Sequence, residues 1–235
     1  MGSQQLPHNP KKHKVIAIDG PAGAGKSTVA KALAKRLGYF YLDTGAMYRS
    51  LTLKAMRENL DFTDEKSLVA LARRTKIDLK DHPDGTRVFL DGEDVSQEIR
   101  TQEVTNNTSI VAKTPGVRKI MVQWQRDIAG KKDVVMEGRD VTTVVFPAAE
   151  FKFYLDADLN ERTKRRLKDL DHAGKKVDPS KLTAEIHTRD ESDMKRGVGA
   201  LKKADDAVVI DSTHHTVDQT VSEILQYIQA KHNFI

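Results

Sequence analysis

The chain has no cysteine. That removes disulfides, thiolate metal sites, iron–sulfur clusters and cysteine nucleophiles from consideration, and it agrees with a reducing cytoplasm as the expected location. No apolar run approaches the roughly 18 residues that a membrane-spanning helix needs, so no membrane role is expected. No apolar stretch precedes Val15, so the start does not read as a secretory signal. Aromatic residues are scarce, at 6% with a single tryptophan. They are not interleaved with the cations, as stacking on single strands would want. There is no large basic block either: 39 basic and 34 acidic residues leave a net charge of +5, with the two signs interspersed. That balance favours anionic partners in general over a nucleic-acid tail, and no nucleic acid is expected. The eight histidines include no H-x-x-x-H pair, and His214-His215 reads as a surface turn.

What is present is a folding chain. Hydrophobic residues make up 38% and charged residues 31%, too apolar a balance for disorder. Its 235 residues suffice for one large domain with an insertion. There is no internal repeat and no low-complexity tract. After residue 14 short apolar runs alternate with helical periodicity. Val15 to Ile18, Phe40 to Leu42, Val134 to Met136, Phe151 to Leu155 and Val208 to Ile210 read as five short buried strands. Val29, Ala30, Leu33, Ala34 and Leu37 recur at helical spacing until Gly38 stops them, and Thr44 reads as the cap of a second helix. Val217, Val221, Ile224, Leu225 and Ile228 mark a final amphipathic helix. The expected fold is α/β: a parallel five-stranded sheet flanked by helices. The rhythm breaks in the middle, where Ile77 to Lys80 and Arg87 to Leu90 read as antiparallel strands with turns at Asp84-Gly85 and Asp91-Gly92. A second irregular stretch, Asp171 to Lys176, separates two helices and reads as mobile.

Gly20-Pro21-Ala22-Gly23-Ala24-Gly25-Lys26-Ser27-Thr28 matches G-x-x-x-x-G-K-[ST], with a strand before it and a helix after it. Backbone N–H groups freed by Gly20, Gly23 and Gly25 can cradle phosphate at a helix N-terminus, with Thr28 in its first turn. Lys26 can reach the β and γ phosphates, and the Ser27 hydroxyl can bind Mg²⁺. A chain of this length meets the four fixed positions by chance on the order of 1% of the time. A switch GTPase is disfavoured. Thr75 to Asp78 loosely matches a base-reading motif, but the aspartate-x-x-glycine matches at Asp127 and Asp171 follow it in the wrong order.

Beyond the loop, three features invite phosphate chemistry and each has an ordinary alternative. Arg49 follows a strand end, where open α/β sheets place ligands, but exposed helix arginines are common. Arg189, Asp193 and Arg196 fall at i, i+4 and i+7, one helix face. A surface salt-bridge ladder has the same spacing and is worth only about 0.2–0.5 kcal/mol per pair. Glu161 to Arg166 is the most basic segment, and it reads either as a binding patch or as a closing element that puts cations over a transferring phosphoryl group.

The sequence resembles bacterial cytidylate kinases, the CMP/dCMP kinases of the nucleoside monophosphate kinase fold. The resemblance runs from about Val15 to the last helix. It is carried by IDGPAGAGKST (18–28), LDTGAMYR (42–49), DGEDVSQEIRTQEV (91–104), EGRD with VVFP (137–147), TRDESDMKR (188–196) and VVIDST (208–213). It departs at Thr142, where the family usually has a small glycine.

The resemblance implies a P-loop NTPase-type core as a single kinase domain over 15–235. It also implies a monophosphate-binding insertion at about 44–118 and a lid at about 160–180, with 1–14 a disordered tail. It implies ATP and Mg²⁺, CMP and dCMP as acceptors, and a monomer. Lys26, Arg139, Arg196 and Arg166 are the implied catalytic cations, and Glu137 is an acid near the waters of the metal. The implied CMP contacts are Thr44, Arg49, Ser109, Arg118, Arg139, Asp140, Arg189, Asp193 and Arg196, with Arg100 less clearly assigned. Among these, Ser109, Arg118 and Asp140 read the base, Arg189 and Asp193 meet the ribose, and Arg139 and Arg196 meet phosphate. Other P-loop small-molecule kinases, a UMP/CMP kinase, and a nucleotide switch or RNA-binding ATPase are the alternatives.

Overall fold

The computed structural model describes residues 13–82, 86–172, 174 and 176–232. Most of the expected tail, the Asp84-Gly85 turn, and Ala173 and Lys175 lie outside the described residues. Five parallel strands form the central sheet: β1 (Val15–Asp19), β2 (Phe40–Asp43), β6 (Val134–Gly138), β7 (Phe151–Asp156) and β8 (Val208–Asp211), in the order β2-β6-β1-β7-β8. Between β2 and β6 the chain builds α2 (Thr44–Arg57), α3 (Glu65–Arg73) and a small antiparallel sheet of β3 (Ile77–Lys80), β4 (Arg87–Leu90) and β5 (Glu93–Asp94). A 3₁₀ turn (Glu98–Arg100), α4 (Gln102–Lys113) and α5 (Pro115–Ala129) follow.

Successive side chains of a strand point to opposite faces, so each central strand feeds two cores. Ala17, Leu42, Val134 and Met136 pack with Met47, Leu51, Leu71 and Met121 on the side of α2, α3 and α5. Ile16, Ile18, Val135, Phe151 and Phe153 pack on the other side against α1 (Lys26–Leu37) and α8 (Val217–His232), through Leu33, Val221 and Ile224. Each fully buried Leu or Ile contributes about 1.5–3 kcal/mol relative to exposure. Gly38 ends α1 in the left-handed conformation at φ 68°, as expected of a C-terminal glycine.

Two local expectations need correction. The strand at Val208–Ile210 is an edge strand rather than a buried one, with Val209 48% exposed, because among the described residues only β7 pairs with it. The cap of α2 is Asp43, whose Oδ1 accepts from Ala46 N at 2.8 Å. Thr44 is instead the first helical residue, and its hydroxyl donates across to Glu137 O at 2.8 Å.

A helical hairpin of α6 (Leu159–His172) and α7 (Pro179–Met194) follows β7 and is held together by Leu170, Leu182 and Ile186. Asp178 caps α7, accepting from Ser180 N at 2.8 Å. The sheet's topology reverses beside β1, so the C-terminal ends of β1, β2, β6 and β7 open onto one crevice. That is the ligand position of open α/β sheets.

Candidate active site

The crevice begins at the phosphate loop. Gly20, Gly23 and Gly25 all have positive φ. At Gly20 the reason is also steric: φ is 152°, and an added Cβ would lie 2.0 Å from the Leu155 carbonyl of β7. The loop delivers Lys26 into the floor, where Nζ donates to Pro21 O at 2.6 Å. Burial, reinforced by the Arg139 charge, pushes Lys26 down to about 7. An anionic phosphate entering the loop opposes that shift and favours the ammonium form.

The loop is anchored from the hairpin. Ala22 N donates to Asp190 Oδ1 at 3.1 Å, and Arg162 binds Ala22 O at 2.9 Å while pairing with Asp190. Arg162 is thus a buried tie. This differs from the expectation that the arginines of 161–166 act together over phosphate. Arg165 is also committed, to Ser212 Oγ at 3.0 Å and to the Ser212 carbonyl at 2.6 Å. Among the described residues only Arg166 of this group carries no ion pair, and its charge acts on Arg189.

Beside the loop, Ser27 Oγ donates to Glu137 Oε1 at 2.6 Å, and Tyr41 OH reaches the same oxygen at 3.2 Å. This direct hydrogen bond brings the two residues expected at the metal together, between β6 and the first turn of α1. A hydroxyl beside a carboxylate is a hard oxygen set that suits Mg²⁺ with several retained waters. Thr28, in the same turn, is exposed.

Beyond the loop, the crevice is built of arginine–aspartate pairs. Asp193, 1% exposed, accepts from Arg139 Nε at 2.8 Å and pairs with Arg196. Burial works to raise its carboxyl, but Arg139 and Arg196 outweigh that and hold it below the ordinary aspartate value. Arg196 does not share the helical face of Arg189 and Asp193. Helix α7 ends at Met194, and Arg196 reaches Asp193 from the turn beyond.

Arg189 faces Arg139, Arg49 and Arg166, and burial plus the Arg139 charge lowers it to about 10. It remains charged at neutral pH. Arg49 pairs with Asp43 at 2.9 Å, and the exposed Arg100 adds to the field on that carboxylate.

Farther along, Arg118 is 3% exposed, pairs with Asp140, stacks over Tyr48 at 5.8 Å and donates to Ala112 O at 3.3 Å. Ser109 stands on the same helix, one turn before Ala112, half-buried. Burial raises the Asp140 carboxyl against the pull of Arg118 and Arg196.

Asp19 and Asp190 were not legible as site residues. Asp190 sits inside TRDESDMKR, one position from Arg189, and its partner lies 28 residues away in chain order. Asp19, at the end of β1, is fully buried. It accepts from Val141 N at 2.9 Å, Thr142 N at 2.7 Å and Thr142 Oγ1 at 2.6 Å. Burial raises it to about 6 against those bonds. Thr142 stands where a glycine was expected. It lies in a π-helical turn, Val141–Val145, and its hydroxyl supplies a bond that glycine cannot.

Comparison with known proteins agrees with this geometry. A cytidylate kinase family model matches residues 16–230. A cytidylate kinase of Desulforamulus reducens is 52% identical over 218 residues, covering 93% of this chain and 98% of the relative. One from Caldanaerobacter subterraneus is 50% identical over 214 residues, covering 91% and 94%. Among solved structures, an uncharacterized protein from Eubacterium ventriosum aligns with a TM-score of 0.52 at 16% identity, covering 92% of this chain and 99% of that one, a likeness of fold alone. A match over nearly the whole chain, at identities near one half, makes this protein a member of the cytidylate kinase family.

Proposed function

We propose that the crevice transfers the γ-phosphoryl group of ATP to CMP or dCMP, giving ADP and CDP or dCDP. One observation carries the assignment of the acceptor side. The buried Nε groups of Arg49, Arg118 and Arg196 have no hydrogen-bond partner, while each of these arginines is held by an aspartate. A buried donor without an acceptor costs about 1–3 kcal/mol. Three such donors in one crevice favour a ligand rich in acceptor oxygens.

An acceptor phosphate oxygen is already anionic, so its attack on the γ-phosphorus needs no general base. As the new P–O bond forms, the bond to ADP breaks, with charge spread over the transferring oxygens. Lys26, Arg139, Arg196 and Arg166 surround that charge, and catalysis is positioning plus electrostatic stabilisation. Ser27 would hold Mg²⁺, with Glu137 acting through its waters, and the bound ion would supply charge neutralisation on the donor phosphates. Arg139 and Arg196 meet the CMP phosphate, and Thr44 and Arg49 border it. Arg189 and Asp193 meet the ribose. Asp140, Arg118 and Ser109 read the base. Asp140 accepts from the cytosine N4 amino group, and uracil puts oxygen lone pairs there instead. The region 44–118 acts as the monophosphate-binding part of a single domain over 15–235. The hairpin around 160–180 acts as the lid, and the working unit is a monomer in the cytoplasm. None of the described helices is long and apolar enough to cross a membrane.

The test is ADP release measured with CMP, dCMP, UMP, AMP and shikimate. A preference of at least roughly 10²-fold in kcat/KM for CMP over UMP is expected, because a polar site rejects a mismatched partner by leaving its own groups unpaired. Equal use of UMP would defeat the base-reading assignment. Acceptor-independent turnover stimulated by RNA would defeat the whole reading.

A further inference from the structure

The π-helical turn Val141–Val145 immediately follows Arg139 and Asp140, so whatever holds this turn also aims those two side chains. Such turns are rare and gather at functional sites. Asp140 occupies its N-cap position, and the Asp140 carbonyl accepts from Val144 N at 2.9 Å. Aspartate at an N-cap ordinarily turns its carboxylate back onto the amide two or three residues on. Here it does not: Asp140 makes no side-chain cap bond and pairs with Arg118 instead. The nearer of those amides, Thr142 N, is already occupied. Thr142 N and Val141 N donate to Asp19, which also receives the Thr142 hydroxyl. The far end of the turn is held from outside as well: Arg126 of α5 donates to Val145 O and Val144 O, both at 2.9 Å.

We infer that Asp19 and Thr142 are positioning residues for acceptor choice: Asp19 caps the 141–145 turn in place of Asp140, and this leaves the Asp140 carboxylate free to face the base. The inference rests on the base-reading role proposed for Asp140. Asp19 is the last residue before Gly20, so one carboxylate joins the phosphate loop to the turn that carries the acceptor contacts. With Asp19→Asn, one carboxylate oxygen becomes an NH₂ group that cannot accept, and an amide of the turn is released. Asp140 then folds back to cap its own helix and is lost to the base. With Thr142→Val the shape is kept and one of three bonds is lost, a smaller effect of the same kind.

The experiment measures kcat/KM for CMP and UMP, with the dissociation constant for ADP alone as a control on the donor side. The proteins are the parent, Asp19→Asn, Thr142→Val, Thr142→Ser, Asp140→Ala and the double variant Asp19→Asn/Asp140→Ala. The CMP:UMP ratio is expected to narrow about 10-fold in Asp19→Asn and about 3-fold in Thr142→Val. Thr142→Ser should stay near the parent, and ADP affinity should be unchanged throughout. In the Asp140→Ala background, Asp19→Asn should change the ratio less than about 2-fold further, because residues acting through one another are non-additive. If Asp19→Asn does not fold, Thr142→Val against Thr142→Ser decides alone. A parental ratio in the position-19 and position-142 variants, while Asp140→Ala narrows it, overturns this inference only. Full additivity in the double variant also overturns it. No effect of Asp140→Ala on the ratio overturns the base-reading role beneath it.

Discussion

Replacing Asp193 by alanine is the most informative single change in the acceptor crevice. Asp193 is 1% exposed and holds two arginines at once, Arg139 at 2.8 Å and Arg196. If these were surface pairs, as the spacing of TRDESDMKR alone allows, the loss would be a few tenths of a kcal/mol per pair. The burial changes the magnitude. Removing one partner of a buried ion pair leaves uncompensated charge and costs about 3–5 kcal/mol. For a chain of this size each kcal/mol is worth about 2–4 °C, so the melting temperature should fall by roughly 6–20 °C. The crevice also contains Arg189 and Lys26, both already lowered by burial and by Arg139, so the loss of a nearby anion adds to the repulsion. Added sulfate should therefore recover more stability in Asp193→Ala than in the parent. Asp193→Asn, which keeps one acceptor oxygen, should fall between the two. Thermal melting with and without sulfate, together with the KM for CMP, checks this. A melting temperature within about 2 °C of the parent and an unchanged KM would refute the view of Asp193 as a buried hub.

Lys26→Met should lower kcat by on the order of 10²-fold or more, with little loss of stability, because Lys26 is buried at a cost that its lowered pKa records; circular dichroism and steady-state kinetics check both halves. Gly20→Ala should abolish folding or lower stability by more than about 4 kcal/mol, since its Cβ would meet the Leu155 carbonyl at 2.0 Å and backbone cannot yield as a side chain does. Asp19 stands at about 6 in the native state against 3.8 unfolded. The native state therefore binds its proton more tightly, and this contribution to stability is present below about pH 4 and lost as pH rises through about 6, on the order of 3 kcal/mol in all. Denaturant midpoints of the parent minus those of Asp19→Asn should shrink over that interval, and a flat difference would count against the raised value.

The two periodicities made the frame readable. The central strands and the helix of Val29 to Leu37 follow from local apolar spacing, and the phosphate loop from four fixed positions within eight residues. What local spacing cannot carry is the choice between near-equivalent neighbours. Asp43 and Thr44 are both good caps, and tertiary contact with Glu137 decided which was used. Arg162, Arg165 and Arg166 are chemically alike, but the fold commits the first two to Ala22 and Ser212 and leaves the third free. Arg196 continues the helical spacing of Arg189 and Asp193, yet the helix stops before it. Asp19 carried no signal of its role because its partners lie over 120 positions away and meet it only through the pairing of β1 with β6.

The tie between Arg162, Ala22 and Asp190 sets the mechanics of the helical hairpin. It pins α6 near its start and α7 near its end to the same loop residue, so both arms share one fulcrum beside the phosphates. At 1.5 Å per residue, Leu170 lies about 12 Å from that fulcrum along α6 and Arg166 about 6 Å. A rocking of about 20° would sweep Leu170 by about 4 Å but move the Arg166 backbone by only about 2 Å. In the proposed lid role the hairpin would work as a lever from its long arm. A displacement at the outer end would be reduced to a smaller one at Arg166. Substitutions at the outer end should then alter how often the crevice closes, while the aim of Arg166 is fixed at the pin.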